Sequence, residues 1–451
     1  MKIQKQVPLT EGPILKSLTG LAVPIMISSF LGTLYNITDM AWIGLLGSKA
    51  VAAVGVGGMY VWLSQGLASL ARMGGQVHVA QCLGRGDKEQ AHRYAKTAVQ
   101  LSILLGLAFA AVSLLFTDPL VGFFKLEGVK TILDAKIYMR ITCGLILFSF
   151  LNLTLTGLYT AQGDSKTPFV ANFIGLLINL LLDPLLILGV GPFPRIEVAG
   201  AAVATVSAQL VVMLVMMVGV FRSKKEENVL KGIRLFEPFS KEEFGNICKI
   251  GGPTAIQGMV YCMISMVLTR MVAAFGAEAI ATQRVGGQIE SVSWNTADGF
   301  AAALNAFVGQ NYGAKKMDRV QKGYRISFWT VAIWGALIML AFIIFPGPIA
   351  GVFFHEEKAM EIAISYLIII GFSEAFMCVE LMTIGALSGL GKTKLCSVIS
   401  ITATSMRIPL AMVLSRTSLG LDGIWWALTL TSVAKGIIFY LTFRYQMREK
   451  C

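Results

Sequence analysis

A charge-poor stretch near the start of the chain, at residues 21–43, restricts what this sequence can fold into. It reads LAVPIMISSFLGTLYNITDMAWI and holds a single charged side chain, Asp39. A segment of about 20 mostly apolar residues is long enough to cross a bilayer as a helix. A carboxylate inside such a helix is costly, so by default it marks a functional site. Tyr35 lies one turn before Asp39 on the same helical face. Earlier in the same segment, Pro24 interrupts the backbone hydrogen bonds of the helix.

The composition of the whole chain indicates many such segments. Hydrophobic residues make up 55% of the 451 residues and charged residues only 14%, whereas a soluble domain carries about 25% charged residues. The mean hydropathy of +0.69 is that of an integral membrane protein. Apolar runs bounded by charged or Gly/Pro-rich segments predict twelve membrane-spanning helices. Their expected limits are 16–44, 50–80, 93–117, 133–161, 167–190, 198–221, 247–275, 279–312, 323–346, 360–390, 394–415 and 421–443.

The sequence shows neither the alternation of a β-barrel nor the signature of a catalytic site. The predicted fold class is therefore an all-α integral membrane protein. The seven cysteines are scattered, without a CxxC or His/Cys cluster, so neither a disulfide framework nor a structural zinc site is indicated. No Walker A, GxSxG or HExxH motif is present. We predict that the chain is not an enzyme and uses no cofactor.

The distribution of basic residues predicts the orientation of the chain. Of the 38 Lys and Arg residues, 25 lie at the termini and in the even-to-odd loops, 8 in the opposite loops and 5 within the spans. The positive-inside rule then places both termini in the cytoplasm, in a multi-pass protein of the inner (plasma) membrane. The formal net charge of +12 is thus a topology signal, and we expect no nucleic-acid partner.

The two halves of the sequence resemble each other. A single ungapped shift superimposes Pro24 on Pro253, Gly47 on Gly276, VGG at 56–58 on VGG at 285–287, Gln81 on Gln310 and Gly84 on Gly313. Because each half has an even number of spans, six, both halves begin on the same side of the membrane. The halves are therefore a parallel repeat, related by a pseudo-two-fold axis along the membrane normal. We predict an N-lobe at 1–221, a cytoplasmic linker at 222–249 and a C-lobe at 250–451. This arrangement indicates a transporter in which one lobe rocks against the other.

Polar side chains within the N-lobe spans form the first candidate site. Counted from the outer ends of their spans, Asp39, Asp183 and Thr205 lie roughly 8–11 Å below the outer surface. Asn179 lies one turn before Asp183 on the same face. If these faces converge, two carboxylates in a medium of low dielectric are suited to hold an exchangeable proton. Two simpler interpretations stay open: Asp39 could reach water at the helix end, or the polar group could only hold helices together.

The C-lobe is predicted to have buried charges of its own within its spans. They are Glu290, Asp298, Glu374, Glu380, Arg407 and Lys435. Three of them, Glu290, Arg407 and Lys435, lie near the midplane. Unpaired charges at that depth would be prohibitive, so we predict a buried ion-pair cluster. A structural role is favoured for Arg407 and Lys435, whereas for Glu290 a structural and a functional role are both open.

The same residues resemble the pattern of the multidrug and toxic compound extrusion (MATE) family. The resemblance rests on Tyr35 and Asp39, NLLLDP at 179–184, GAAVAT at 200–205, QIES at 288–291 and VGQNYGA at 308–314. It covers nearly the whole chain and implies secondary antiport, in which inward H⁺ or Na⁺ expels organic, often cationic, compounds. The seventh span lacks the carboxylate of the NorM-like branch, which favours the prokaryotic DinF-like branch.

The resemblance also implies roles for individual residues. Asp39 and Asp183 match the carboxylates that carry the coupling ion, Tyr35, Asn179 and Thr205 match the polar residues around them, and Glu290 matches an acid of the eighth span. Asn36, beside Tyr35, is a further candidate. Asp298 departs from the family's pattern.

Two questions about function stay open at this point. The coupling ion is expected to be H⁺, with Na⁺ bound by Asp39 and Asp183 as the alternative and no other metal. The alternative function is a lipid-linked oligosaccharide or lipid flippase of the same superfamily, although the acidic character of the predicted cavity argues against it. The expected partners are small organic substrates and the lipid bilayer, and the protein is expected to be a monomer.

Overall fold

The structure, a computed structural model, describes residues 7–126, 128–189, 194–223, 228–235, 237–238, 240–354 and 356–448. Within these residues the chain is helical and forms no β-strand, as predicted. The helices of the first half are α1 (Ile14–Gly44), α2 (Ser48–Arg85), α3 (Lys88–Leu115), α4 (Thr117–Gly122), α5 (Val129–Gly144), α6 (Leu147–Ala161), α7 (Lys166–Ile187) and α8 (Glu197–Arg222). Those of the second half are α9 (Lys241–Ala273), α10 (Ala277–Gly313), α11 (Met317–Ile344), α12 (Pro346–Gly351), α13 (Glu357–Gly371), α14 (Glu374–Gly389), α15 (Thr393–Ser405), α16 (Arg407–Leu414) and α17 (Leu421–Arg448).

These helices account for the twelve predicted spans, six in each lobe. Nine spans are single helices, and three consist of two consecutive helices: α5 with α6, α13 with α14, and α15 with α16. The span formed by α10 is long enough to cross a bilayer but more polar than the others, because it carries Arg284, Glu290 and Asp298. The remaining helices α4 and α12 are short and follow the third and ninth spans.

Two spans that the sequence predicted as continuous are bent. The helices α5 and α6 meet at 43°, and α13 and α14 meet at 51°. In both cases the first helix ends on a glycine, Gly144 or Gly371, that lies against the preceding long helix. A Cβ atom at Gly144 would lie 3.2 Å from Leu114, and one at Gly371 would lie 3.1 Å from Phe342. The bends thus occur where the backbone comes close to a neighbouring helix.

The internal repeat is visible in the helix boundaries. The shift that superimposes Pro24 on Pro253 also superimposes both ends of α3 on those of α11, and both ends of α4 on those of α12. The bent spans occupy corresponding positions in the two halves. The equal lengths of α3 and α11 and of α4 and α12, with bends that match to within two residues, confirm that the halves are two copies of one six-span unit.

The helices group into two compact units. The first consists of Val7 and Ile27–Ala255, and the second of Pro8–Met26 and the residues from Ile256 onward. In the first unit α2 packs against α3, α5 and α6, and α7 packs against α8. In the second unit α10 packs against α11, α13 and α14. The described part of the linker belongs to the first unit, where Lys96 of α3 forms an ion pair with Glu237 at 3.1 Å.

Candidate functional site

The polar side chains predicted in the N-lobe lie together inside the first unit. α1 contributes Tyr35 and Asp39, α7 contributes Asn179 and Asp183, and α8 contributes Thr205. Asp39 is 7% exposed and Asp183 is fully buried. The Asn179 amide donates a hydrogen bond of 3.1 Å to Asp183 Oδ1. Asp39 is close enough to Asp183 to interact with it electrostatically, and the Tyr35 hydroxyl lies near both Asp39 and Thr205. We call these five residues the carboxylate site.

Glycines explain why α7 and α8 bring their polar residues together. Gly175 lies one turn before Asn179, and a Cβ atom there would lie 2.4 Å from a side chain of α8. At the other end of the pair, a Cβ atom at Gly200 would lie 2.6 Å from the backbone of Leu186. Both distances are shorter than any Cβ contact can be, so the two helices approach this closely only because the residues are glycines. The approach places Thr205 beside the polar face of α7.

Four oxygen atoms of the carboxylate site are buried without a hydrogen-bond partner among the residues that the structure describes. They are the Tyr35 hydroxyl, Asp39 Oδ1, Asp183 Oδ2 and the Thr205 hydroxyl. A buried polar atom left unpaired costs about 1–3 kcal/mol, so four of them at one place call for an explanation other than stability. A proton on one carboxyl group would supply a donor and would remove the repulsion between the two acids. A bound cation would relieve the same repulsion.

Tyr138 of α5 also belongs to this site, although the sequence reasoning missed it. It is 6% exposed, and its hydroxyl interacts electrostatically with Asp39 and Asp183. Its ring packs on Gly57 of α2, where a Cβ atom would lie 2.4 Å from the ring. The internal repeat could have revealed it, because Tyr366 lies at nearly the matching position of the second half.

Tyr366 has the corresponding position in the second unit. Its ring packs on Gly286, where a Cβ atom would lie 2.2 Å from the ring, and its hydroxyl donates a hydrogen bond to Glu290. Glu374 lies near Glu290 and is fully buried. Neither of its carboxylate oxygens has a hydrogen-bond partner in the described part of the chain. Each unit therefore places one tyrosine, packed on a glycine of the VGG sequence, beside a pair of acidic residues.

The basic residues of the C-lobe are held in two different ways. Lys435 forms an ion pair of 2.8 Å with Glu380, and both side chains are at most 7% exposed. The Arg407 guanidinium instead donates hydrogen bonds of 3.0 Å and 2.9 Å to the hydroxyls of Thr431 and Ser432. It interacts with Glu290 only at longer range. Among the described residues, the predicted cluster is thus reduced to one direct buried ion pair.

Two further predicted residues lie elsewhere. Asn36 of α1 is exposed, because it is turned by one residue from Tyr35 around the helix. Asp298 of α10 is exposed as well. The prediction that Asp298 is a buried charge is therefore wrong, since the face of α10 that it occupies is not the packed face.

Twelve spans in two repeated units, with acidic residues buried inside each unit, define a membrane transporter of small molecules. A comparison with protein families identifies the family of this transporter. The MatE family model matches residues 24–185 and 253–413. The two matches begin at Pro24 and Pro253, which are a pair that the internal repeat superimposes. The chain belongs to the MatE family, the family of multidrug and toxic compound extrusion transporters.

Individual relatives extend over nearly the whole chain. The "Probable multidrug resistance protein NorM" of Thermotoga maritima is 29% identical over 98% of this chain and 95% of its own length. The "FAD transporter" of Shewanella oneidensis is 25% identical over 96% of this chain and 95% of its own. A crystal structure described as a MATE transporter in the straight conformation is 24% identical, covers 99% of both chains and superimposes with a TM-score of 0.90. That last likeness shows the fold.

Proposed function

We propose that the protein is an antiporter that exports small organic compounds, often cationic, in exchange for inward H⁺. The observation that carries the proposal is the burial of Asp39 and Asp183 close together in the first unit, each with one unpaired oxygen among the described residues. Burying one carboxylate in a membrane protein is already expensive. Two such groups persist only where a proton or a cation can bind to them. A cationic substrate and the coupling ion would therefore depend on the same negative charge.

The carboxylate site suits a proton better than Na⁺. A proton needs only one carboxyl oxygen, and the Tyr35 and Thr205 hydroxyls can accept or donate a hydrogen bond beside it. Sodium needs several converging oxygens, and the Asn179 amide already donates a hydrogen bond to one oxygen of Asp183. In the proposed cycle, the ionised pair favours substrate binding. Protonation from outside then neutralises the pair and releases the substrate, as one lobe rocks against the other.

The carboxylate site does not by itself define the class of substrate. The relatives carry names as different as a multidrug resistance protein and a FAD transporter. Transport should therefore be measured with an organic cation and with an anionic flavin dinucleotide. We expect the cation to be the better substrate, because the carboxylate site is acidic. We also propose, from the bias in basic residues, that both termini lie in the cytoplasm of a protein in the cell membrane.

The test is the substitution Asp39→Asn. Asparagine keeps the size and hydrogen bonding of the side chain but cannot exchange a proton, so we expect gradient-driven transport to be lost while expression is kept. Uptake of an organic cation into inverted vesicles is measured with a pH gradient and a Na⁺ gradient imposed separately. The matched control is Asp118→Asn, which makes the same change at a carboxylate that is 68% exposed on α4. Asp39→Asn transporting at the rate of this control would refute the proposal.

A further inference from the structure

A cavity of about 550 Å³ opens between α11 and α17 in the second unit. Three arginines line it, Arg325, Arg444 and Arg448, and all three are exposed. Among the residues that the structure describes, no acidic residue lines the cavity, and none of their ion pairs involves these three guanidinium groups. Three like charges repel one another, so a place that collects them without counter-charges favours an anion. We call it the arginine cavity.

Aromatic residues form the walls of the arginine cavity. Tyr324 of α11 stacks on Phe443 of α17 with ring centroids 3.6 Å apart, and Phe328 lies 5.1 Å from Tyr440. The Arg444 guanidinium lies over the Tyr440 ring at 5.8 Å. These contacts tie α11 to α17 and hold Arg444 in place. The cavity is therefore built by packed side chains, and at least one of its charges is oriented.

The arginine cavity lies at one end of an exposed apolar surface. α11 exposes a stripe of apolar residues at helical spacing: Trp329, Ile333, Leu337, Leu340 and Ile344, each at least 50% exposed. Arg325 lies one turn before Trp329 on the same face. Arg325 and Ile344 are about 28 Å apart along the helix, which is close to the thickness of the hydrocarbon layer. Arg325 therefore lies at the depth of the lipid headgroups, where tryptophan is also enriched.

The C-terminal end of α17 indicates the same depth for Arg444. Leu441 of α17 is 56% exposed, and Arg444 lies one turn beyond it, on the same face. Both helices thus change from exposed apolar residues to arginine at the cavity. The distribution of Lys and Arg predicts that this is the cytoplasmic side of the membrane.

We propose that the arginine cavity binds the phosphate headgroup of an anionic phospholipid in the cytoplasmic leaflet. Guanidinium groups hold phosphate oxygens through paired hydrogen bonds, and basic pockets between spans on this side of a membrane are suited to anionic headgroups. The acyl chains lie along the exposed stripe that begins at Trp329. A free phosphate would use the same arginines, but it would gain nothing from the apolar stripe that continues from the cavity.

The test measures lipid binding to the purified full-length protein in detergent by native mass spectrometry. Phosphatidylglycerol and phosphatidylcholine with identical acyl chains are titrated separately. The wild-type protein should prefer phosphatidylglycerol. The double substitution Arg325→Gln/Arg444→Gln should reduce that preference by roughly 30-fold, since each basic residue near an anionic lipid contributes about five-fold. The variant Arg325→Lys/Arg444→Lys keeps the charge and should retain part of the preference.

The matched control is Arg85→Gln/Arg222→Gln. These arginines end α2 and α8, are exposed, and lie on the same predicted side of the membrane but outside the cavity. The control should bind lipid as the wild type does, and all variants should unfold at the same temperature. An equal preference in the Arg325→Gln/Arg444→Gln variant and the wild type would overturn the proposal, as would an equal loss in the Arg85→Gln/Arg222→Gln control. Displacement of the lipid by soluble glycerol phosphate would reassign the cavity to a free anion.

Discussion

The contact between Gly57 and Tyr138 gives the sharpest test of how packing shapes the carboxylate site. In Gly57→Ala the new Cβ atom would lie 2.4 Å from the Tyr138 ring. An ordinary contact needs about 3.4 Å or more, so the ring must move by about 1 Å. Overpacking of this kind typically costs about 1–3 kcal/mol. It would also change the position of the Tyr138 hydroxyl relative to Asp39. We therefore expect a lower unfolding temperature together with slower transport.

The next residue provides the control. Among the described residues, a Cβ atom at Gly58 meets no atom of another part of the chain within 4 Å, so Gly58→Ala makes the same chemical change in the same helix without moving Tyr138. The second unit repeats the comparison, because Gly286 lies under Tyr366 whereas Gly287 has open space beside it. Unfolding temperature in detergent and transport in inverted vesicles are measured for each variant. If Gly57→Ala and Gly58→Ala behave alike in both assays, the ring contact has no part in shaping the site.

Two further predictions follow from the buried charges. Lys435→Met leaves Glu380 buried without its partner and should destabilise the protein by about 3–5 kcal/mol, whereas Lys358→Met breaks an exposed ion pair and should cost less than about 1 kcal/mol. The free energy of unfolding is measured by chemical denaturation. If Lys435→Met and Lys358→Met lower it by similar amounts, the ion pair between Lys435 and Glu380 is not the stabilising buried contact that we describe. Second, if Asp39 and Asp183 take up H⁺, the affinity for an organic cation should weaken as the pH falls, because protonation removes the negative charge. Binding that is flat with pH but weakens as Na⁺ is added would show that Na⁺ is the coupling ion.

The sequence alone predicted the membrane architecture because the bilayer imposes strict rules. Every backbone polar group must be satisfied within a span, so most spans appear as long apolar runs. Charges inside such runs are rare, and this rarity brought Asp39 and Asp183 to attention. The internal repeat was also readable, since glycines and prolines that the fold requires recur at matching positions, as Pro24 and Pro253 do.

Tertiary structure decided which helix faces meet. Periodicity places Tyr35 and Asn36 on neighbouring faces of α1 but does not predict which of these faces packs against other helices. In the structure, Tyr35 belongs to the carboxylate site and Asn36 is exposed. Tyr138 carries no unusual signal in the sequence, yet it joins that site because Gly57 lets its ring approach. The sequence likewise did not predict that Arg407 would donate hydrogen bonds to Thr431 and Ser432. Contacts of this kind depend on how far one helix rotates and how closely it approaches another, and those quantities are set by small residues on the facing helix.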